Sequence, residues 1–466
     1  MTTLATFIGV AAYLATYVTI LKRTFLAISP QRHQLSGAIF LMNNCLFIIP
    51  ALFIVPIYGA EQIRVLRYVE NDSVIGIHAI VIFSMLTFVL CFALLSSVLG
   101  RLLFYDMRKV YRDLENPVIS SRVLAFCRIM LLSIPAAIMV NIVVFGGQHA
   151  LFGAAFYDLN AGAIRHENES SVFAAYAKHY FHVISLLVAP CLALPIYRRR
   201  HTERVISVVL VFAALTSHGS KSPFIFFLIV LFFAMLEKSA LNAGRSDAYA
   251  MFSAKRVMFA VFGLLSAFLA FYFFATTFFL GENNAFWDYF WNRAFIGQMA
   301  GMYEQFNLFL FDPSFSWHSV PFASLLIDYP SFHKELMLVS ENLVDPDRIG
   351  IKVTFFSAEA YGMFGWSGVV IAPFLLAIQF VMTFLLLNAA IDRLILRNRE
   401  LSKYVTSFFF VAYFSFTDGI SEMLLLKGAI FVLVLMLPVI FCMVLRGTWM
   451  SYDARRSSFV NGRVTS

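Results

Sequence analysis

The sequence predicts an all-α, polytopic membrane protein of about 11 transmembrane helices. Two observations carry that prediction. Of 466 residues, 60% are hydrophobic and only 13% are charged, with a mean hydropathy of +0.79, and no soluble core of this size hides so much apolar surface. Apolar runs of about twenty residues also recur along the whole length, which is what a helix needs to cross a hydrocarbon core about 30 Å thick. Helices are the spanning elements because lipid offers no partner to unpaired backbone groups.

The spans fall at 3–21, 36–58, 75–98, 122–146, 179–197, 204–219, 223–237, 257–281, 366–391, 404–418 and 424–445. They make residues 1–466 a single transmembrane domain. The loops alternate in charge. Segments 22–35, 99–122, 198–204, 238–256, 392–403 and 446–466 hold 24 of the 35 Lys and Arg, so the positive-inside rule makes them cytoplasmic. The N-terminus is then outside and the C-terminus on the cytoplasmic side, as an odd number of spans requires. The first apolar segment lacks a basic n-region and a small-residue cleavage site, and is expected to be an anchor rather than a removable signal.

A net charge of +8 and a pI near 9.2 do not indicate nucleic acid, because the basic residues are spread over short inner loops instead of one soluble face. All five cysteines (Cys45, Cys91, Cys127, Cys191 and Cys442) fall inside predicted spans, and the sequence has neither a disulfide framework nor metal-ligand spacing. Asn168-Glu169-Ser170 is a short glycosylation match that carries no weight. No internal repeat is present, which argues against a solenoid or an evident inverted-repeat transporter.

Two outer loops are long enough to hold a site, 147–178 and 282–365, and they are expected to form the active-site region. Between 282 and 352 nine acidic residues face four basic ones: Arg293, Lys334, Arg348 and Lys352. Ser217-His218-Gly219-Ser220-Lys221-Ser222-Pro223 joins the sixth and seventh spans, and glycine, serine and a cation before a proline-opened helix suit an anion cradle. A plain polar turn with a snorkelling lysine is the alternative. The topology gathers Arg165, His166, Lys178, His179, Lys221, Arg293, Glu304, Glu359, Asp418, Glu422 and Lys427 on the outer face. Charges near a membrane are costly and therefore candidates for function. Arginine and lysine without a metal motif suit a pyrophosphate. Each candidate has a structural alternative: Arg293 pairing with Asp288 or Glu304, Arg165 in a solvated loop, Lys178 and His179 as interfacial anchors, and Asp418, Glu422 and Lys427 as an ion-pair cluster. Arg128 is expected to snorkel. The 53 phenylalanines are read as lipid-facing or core, with Trp287, Trp291 and Trp317 as sugar platforms.

Four segments resemble the bacterial O-antigen polymerases called Wzy and related oligosaccharide repeat-unit polymerases. They are Gly219-Ser220-Lys221-Ser222-Pro223-Phe224; Asn292-Arg293-Ala294-Phe295-Ile296 through Glu304-Gln305-Phe306; Phe355-Phe356-Ser357-Ala358-Glu359-Ala360-Tyr361 through Gly365-Trp366; and Asp418-Gly419-Ile420 to Lys427-Gly428. The likeness is collinear over the last half of the chain. The Arg-x10-Gly motif of some members is absent, since Tyr176 follows Arg165 and Glu304 follows Arg293 at that distance.

The resemblance implies an inner-membrane glycosyltransferase of lipopolysaccharide biosynthesis, with a GT-C-like helical fold and a periplasmic active site. It would move a glycan from undecaprenyl pyrophosphate onto an incoming lipid-linked repeat unit. By that likeness Lys221 and Arg293 bind the pyrophosphate, with Arg165 and Lys178 as further candidates, and Glu304 or Glu359 is the base. No cofactor or metal is expected. Partners are undecaprenyl-pyrophosphate-linked oligosaccharides and membrane lipids, with a chain-length regulator as an open addition and no nucleic acid. An O-antigen ligase or another lipid-linked glycosyltransferase is the near alternative. A flippase is the alternative of a different class, and it calls for polar residues inside the spans, where Asn43 and Asn44 are the main ones.

Overall fold

The computed structural model describes residues 2–28, 34–63, 66, 69–145, 172–217, 222–242, 296–308 and 355–461. The predicted span 257–281 and most of both outer loops lie outside the described residues. Among the described residues the regular structure is helical, with no strand. The helices are α1 (Thr2–Ile20), α2 (Ser36–Tyr58), α3 (Asn71–Leu99), α4 (Met107–Leu114), α5 (Pro117–Phe145), α6 (Val172–Ala193), α7 (His201–Thr216), α8 (Ser222–Asn242), α9 (Ala300–Leu308), α10 (Phe356–Ala390), α11 (Arg399–Tyr413) and α12 (Ala429–Asn461).

Six helical stretches of the described residues are long and apolar enough to cross a membrane: Thr3–Ile20, Ser36–Tyr58, Ser73–Leu114, Pro117–Val140, Phe356–Leu396 and Ala429–Arg446. Their outer faces agree with that role. Val98 is 85% exposed, Ile430 80% and Leu132 68%, positions that lipid accepts and water does not. The described residues are thus all-helical, and their spans are those of a polytopic membrane protein.

Two helices depart from the predicted spans in a way that shapes the chemistry. The span predicted at 366 begins at Phe356, ten residues earlier, and consists of two helices meeting at Gly365, whose φ of 62° and ψ of −148° belong to glycine alone. From Phe356 to Met363 every residue is buried. The span predicted at 404–418 is α11, which stops at Tyr413; residues 414–419 are irregular, and Glu422–Leu426 form a π-helical turn before α12 begins at Ala429.

The chain divides into two compact units. The first comprises Met1–Leu103, Ala240–Thr383 and Phe414–Gly428. Its core is a phenylalanine cluster: the Phe416 ring lies 5.0 Å from Phe88 and 5.6 Å from Phe40, both edge-on, and Phe380 lies 5.7 Å from Phe88. Two amides of α2 reach the irregular segment. Asn43 Nδ2 donates to the Phe414 carbonyl at 3.0 Å, and Asn44 Oδ1 accepts from the Phe416 N–H at 2.6 Å. The Phe416 carbonyl in turn accepts from the Phe356 N–H at 3.1 Å.

The second unit comprises Phe104–Ser239, Phe384–Tyr413 and Ala429–Ser466. Helix α11 is buried without a break from Leu401 to Tyr413, the signature of a central helix. Helix α4 is amphipathic: Asp106 caps it by accepting the Arg108 N–H at 3.0 Å, and Met107, Val110 and Leu114 are its buried face. Lys403, almost fully buried, donates to the Phe104 carbonyl at 2.8 Å and pairs with Glu400 at 2.7 Å. The Tyr105 hydroxyl donates to buried Glu237 at 2.9 Å.

Replacing Asn44 tests whether the irregular segment depends on α2. Asn44→Ala leaves the buried Phe416 N–H without its acceptor and is expected to cost about 1–3 kcal/mol, read as a lowered thermal transition of the purified protein in detergent. An unchanged transition would show that the amide does not support the break.

Candidate functional site

The interruption between α11 and α12 places polar side chains inside an apolar unit. Asp418 Oδ2 accepts the Ser415 N–H at 2.9 Å, closing a tight turn, and also pairs with Lys427 Nζ at 2.6 Å. Only 8% of the Lys427 side chain and 18% of the Asp418 side chain is exposed, so the two charges hold each other in a place where either alone would be expensive. The Ser415 and Thr417 hydroxyls bond to each other at 2.9 Å.

The same segment grips Glu359, which lies in the first turn of α10 and is fully buried. The Ser421 hydroxyl donates to Glu359 Oε1. Gly419 lies against the other oxygen, and a Cβ at this position would collide with the Glu359 carboxylate. Two residues before the glutamate, Ser357 donates to the Ser84 hydroxyl of α3 at 2.6 Å, which fixes the turn that carries it.

Glu304 lies on α9 and is also fully buried. Its neighbour Tyr303 shares a hydrogen bond of 2.6 Å with His78 Nε2 in α3, and His78 Nδ1 lies 3.3 Å from the Thr6 hydroxyl of α1. The Phe306 ring is 5.0 Å from Tyr361, so the short helices carrying Glu304 and Glu359 pack against each other. Both candidate bases, with Asp418 and Lys427, therefore belong to the first unit.

The predicted pyrophosphate ligands fare unevenly. Lys178 is partly exposed near the start of α6 in the second unit, and its neighbours Tyr176 and His179 place their rings 5.3 Å and 6.1 Å from Phe431. Arg165, Lys221 and Arg293 lie outside the described residues, as do His166, Trp287, Trp291 and Trp317. Arg128, expected to snorkel, has a half-exposed side chain and makes a two-pronged ion pair with Glu203, Nε to Oε1 at 2.8 Å and Nη2 to Oε2 at 3.2 Å.

Sequence reasoning overlooked His78 and Ser421, and gave Gly419, which it quoted in the fourth segment of resemblance, no role of its own. His78 had a readable signal, an ionisable side chain in the middle of an apolar span. Ser421 and Gly419 had none, because their importance arises only from the return of a distant segment against Glu359.

The Asp418–Lys427 pair predicts a non-additive result. Lys427→Met strands a buried carboxylate and is expected to destabilise by about 3–5 kcal/mol, whereas Asp418→Asn combined with Lys427→Met recovers most of that loss. Thermal unfolding of the three purified variants measures the coupling, and a double variant as unstable as Lys427→Met would rule out the pair as its source. Searched against known proteins, the chain matches no protein-family model, no curated protein and no solved structure.

Proposed function

We propose that this protein is a lipid-linked polysaccharide polymerase, a metal-independent glycosyltransferase of the bacterial inner membrane with about 11 spans, a GT-C-like arrangement and a periplasmic active site. One observation carries the reading: a fully buried glutamate, Glu359, is held by Ser421 on a broken-helix segment that also bears the Asp418–Lys427 pair, inside a unit of apolar helices. A buried carboxylate in a water-poor surrounding, bonded to a segment that also carries an ion pair, suits removal of a proton from a sugar hydroxyl beside a polyanionic leaving group.

In this reaction Glu359 accepts the proton of the acceptor hydroxyl as its oxygen forms the new bond to the anomeric carbon of the donor glycan. The bond from that carbon to the pyrophosphate breaks, and undecaprenyl pyrophosphate leaves with the electron pair. By the resemblance, Lys221 and Arg293 are the residues expected to take its negative charge, with Arg165 and Lys178 as weaker candidates. The contact of Glu359 with the Asp418 segment favours it over Glu304 as the base.

A lipid-linked oligosaccharide flippase is the second reading. It draws on the interrupted helix at 414–428 and on His78 inside α3, since broken helices with polar residues in their interior suit a substrate path.

Reconstitution with undecaprenyl-pyrophosphate-linked repeat units alone separates these readings. A polymerase yields a ladder of lengthening glycans; an O-antigen ligase stays inert until lipid A-core is added; a flippase moves the substrate across the vesicle without lengthening it. Glu359→Gln is expected to slow ladder formation about 100-fold or more, and Lys221→Ala and Arg293→Ala to abolish it, with each variant still folded. A full ladder from all three variants would remove the proposed site.

A further inference from the structure

The turn between α6 and α7, in the second unit, plays no part in the proposed chemistry, yet its side chains are unusual. It surrounds a cavity of about 760 Å³ lined by Pro195, Ile196, Arg198, Arg199, Arg200 and His201. The backbone is fixed by local bonds, Arg198 N–H to the Pro195 carbonyl at 2.9 Å and Arg200 N–H to the Tyr197 carbonyl at 3.2 Å, and by the fully buried Tyr197. Three consecutive arginines are thereby presented by a rigid turn rather than a loose loop.

Their charge is poorly matched by protein. Glu203 is the carboxylate at hand, and it already serves Arg128 at 2.8 Å and Arg200 at 3.2 Å. The hydrogen bond from Arg128, followed by that from Arg200, holds its carboxyl below the usual carboxylate range. Arg198 and Arg199 make no ion pair among the described residues. One helical turn beyond Arg200, Arg204 has its Nε and Nη2 atoms buried without a hydrogen-bond partner among the described residues. Arg204 does not line the cavity; Arg198, Arg199 and Arg200 do, and because a guanidinium carries donors only, three of them on one cavity call for an acceptor.

The surface just beyond the turn identifies the kind of acceptor. Val205, Ile206 and Val209 follow on α7, all more than half exposed, and Val205 and Val209 lie one above the other at a spacing of four. An arginine-lined cavity continuous with an exposed apolar helix face matches a molecule that has an anionic head and hydrocarbon tails. We infer that this turn is a binding site for an anionic phospholipid, with the phosphate diester in the arginine cavity and the acyl chains along Val205, Ile206 and Val209. Guanidinium groups suit a phosphate diester by paired hydrogen bonds, and basic pockets at the membrane surface draw anionic headgroups. The inference rests on this cavity alone and stands independently of the glycosyltransferase reading.

The test uses the full chain, purified in a neutral detergent and titrated with phosphatidylglycerol or with phosphatidylcholine of the same acyl chains, bound lipid being counted by native mass spectrometry. The wild type is expected to retain phosphatidylglycerol in preference to phosphatidylcholine. Arg198→Gln with Arg199→Gln is expected to weaken phosphatidylglycerol about tenfold, and Arg199→Lys to weaken it less, because it keeps the charge but loses the paired geometry. Inorganic phosphate at millimolar concentration should leave the lipid bound. The assignment is overturned if the double variant retains the lipid as the wild type does, if the two lipids bind alike, or if inorganic phosphate displaces the lipid. Should the double variant fail to fold, Arg199→Lys and the phosphate competition decide alone.

Discussion

The structure of the first unit depends on satisfying backbone groups where no water is available. Between Tyr413 and Ala429 the chain leaves the α-helix, and each freed donor or acceptor in an apolar surrounding is worth a few kcal/mol if left bare. The protein answers with two side chains of α2, one of the segment itself and one backbone donor: Asn43 on the Phe414 carbonyl, Asn44 on the Phe416 N–H, Asp418 on the Ser415 N–H, and the Phe356 N–H on the Phe416 carbonyl. The break is therefore a built feature. Because its backbone is tied to both α2 and the start of α10, Gly419 and Ser421 come to lie against Glu359. The carboxylate is positioned by the same bonds that make the interruption tolerable.

This dependence explains which parts of the protein were legible in its sequence. The helical membrane class was, because apolar runs of span length record the thickness of the bilayer directly, and α2 occupies the very residues 36–58 that the pattern marks. The break was not. Phe414 and Phe416 continue the apolar pattern of α11, and hydropathy cannot register that the hydrogen bonds of those residues go to amides some 370 positions earlier in the chain. For the opposite reason α10 begins before its predicted start: Ser357, Glu359 and Gly365 read as loop, yet Ser84 and Ser421 supply the partners that let a polar helical turn be buried. Asn43 and Asn44, the main polar residues inside the predicted spans, hydrogen-bond to an irregular backbone rather than line a path.

Buried charge alone does not make a site, and the second unit supplies the contrast. Lys403 is as deeply placed as Lys427, and its bonds run to regular elements: to the Phe104 carbonyl, to Glu400, and through Glu400 Oε2 to the Asp106 N–H at 3.1 Å. Asp106 then caps α4, so the charges end in a structural clamp between α4 and α11. The Asp418–Lys427 pair differs in its support. It sits on residues outside any regular α-helix, and the neighbouring residues of the same segment bond a third ionisable group, Glu359, carried by another helix. A clamp gains most from rigid regular elements, whereas a proton acceptor beside a charged substrate gains from a preorganised irregular segment whose donors are already aimed. The difference in backbone beneath the two lysines, more than their burial, is the reason we propose chemistry beside one and architecture for the other.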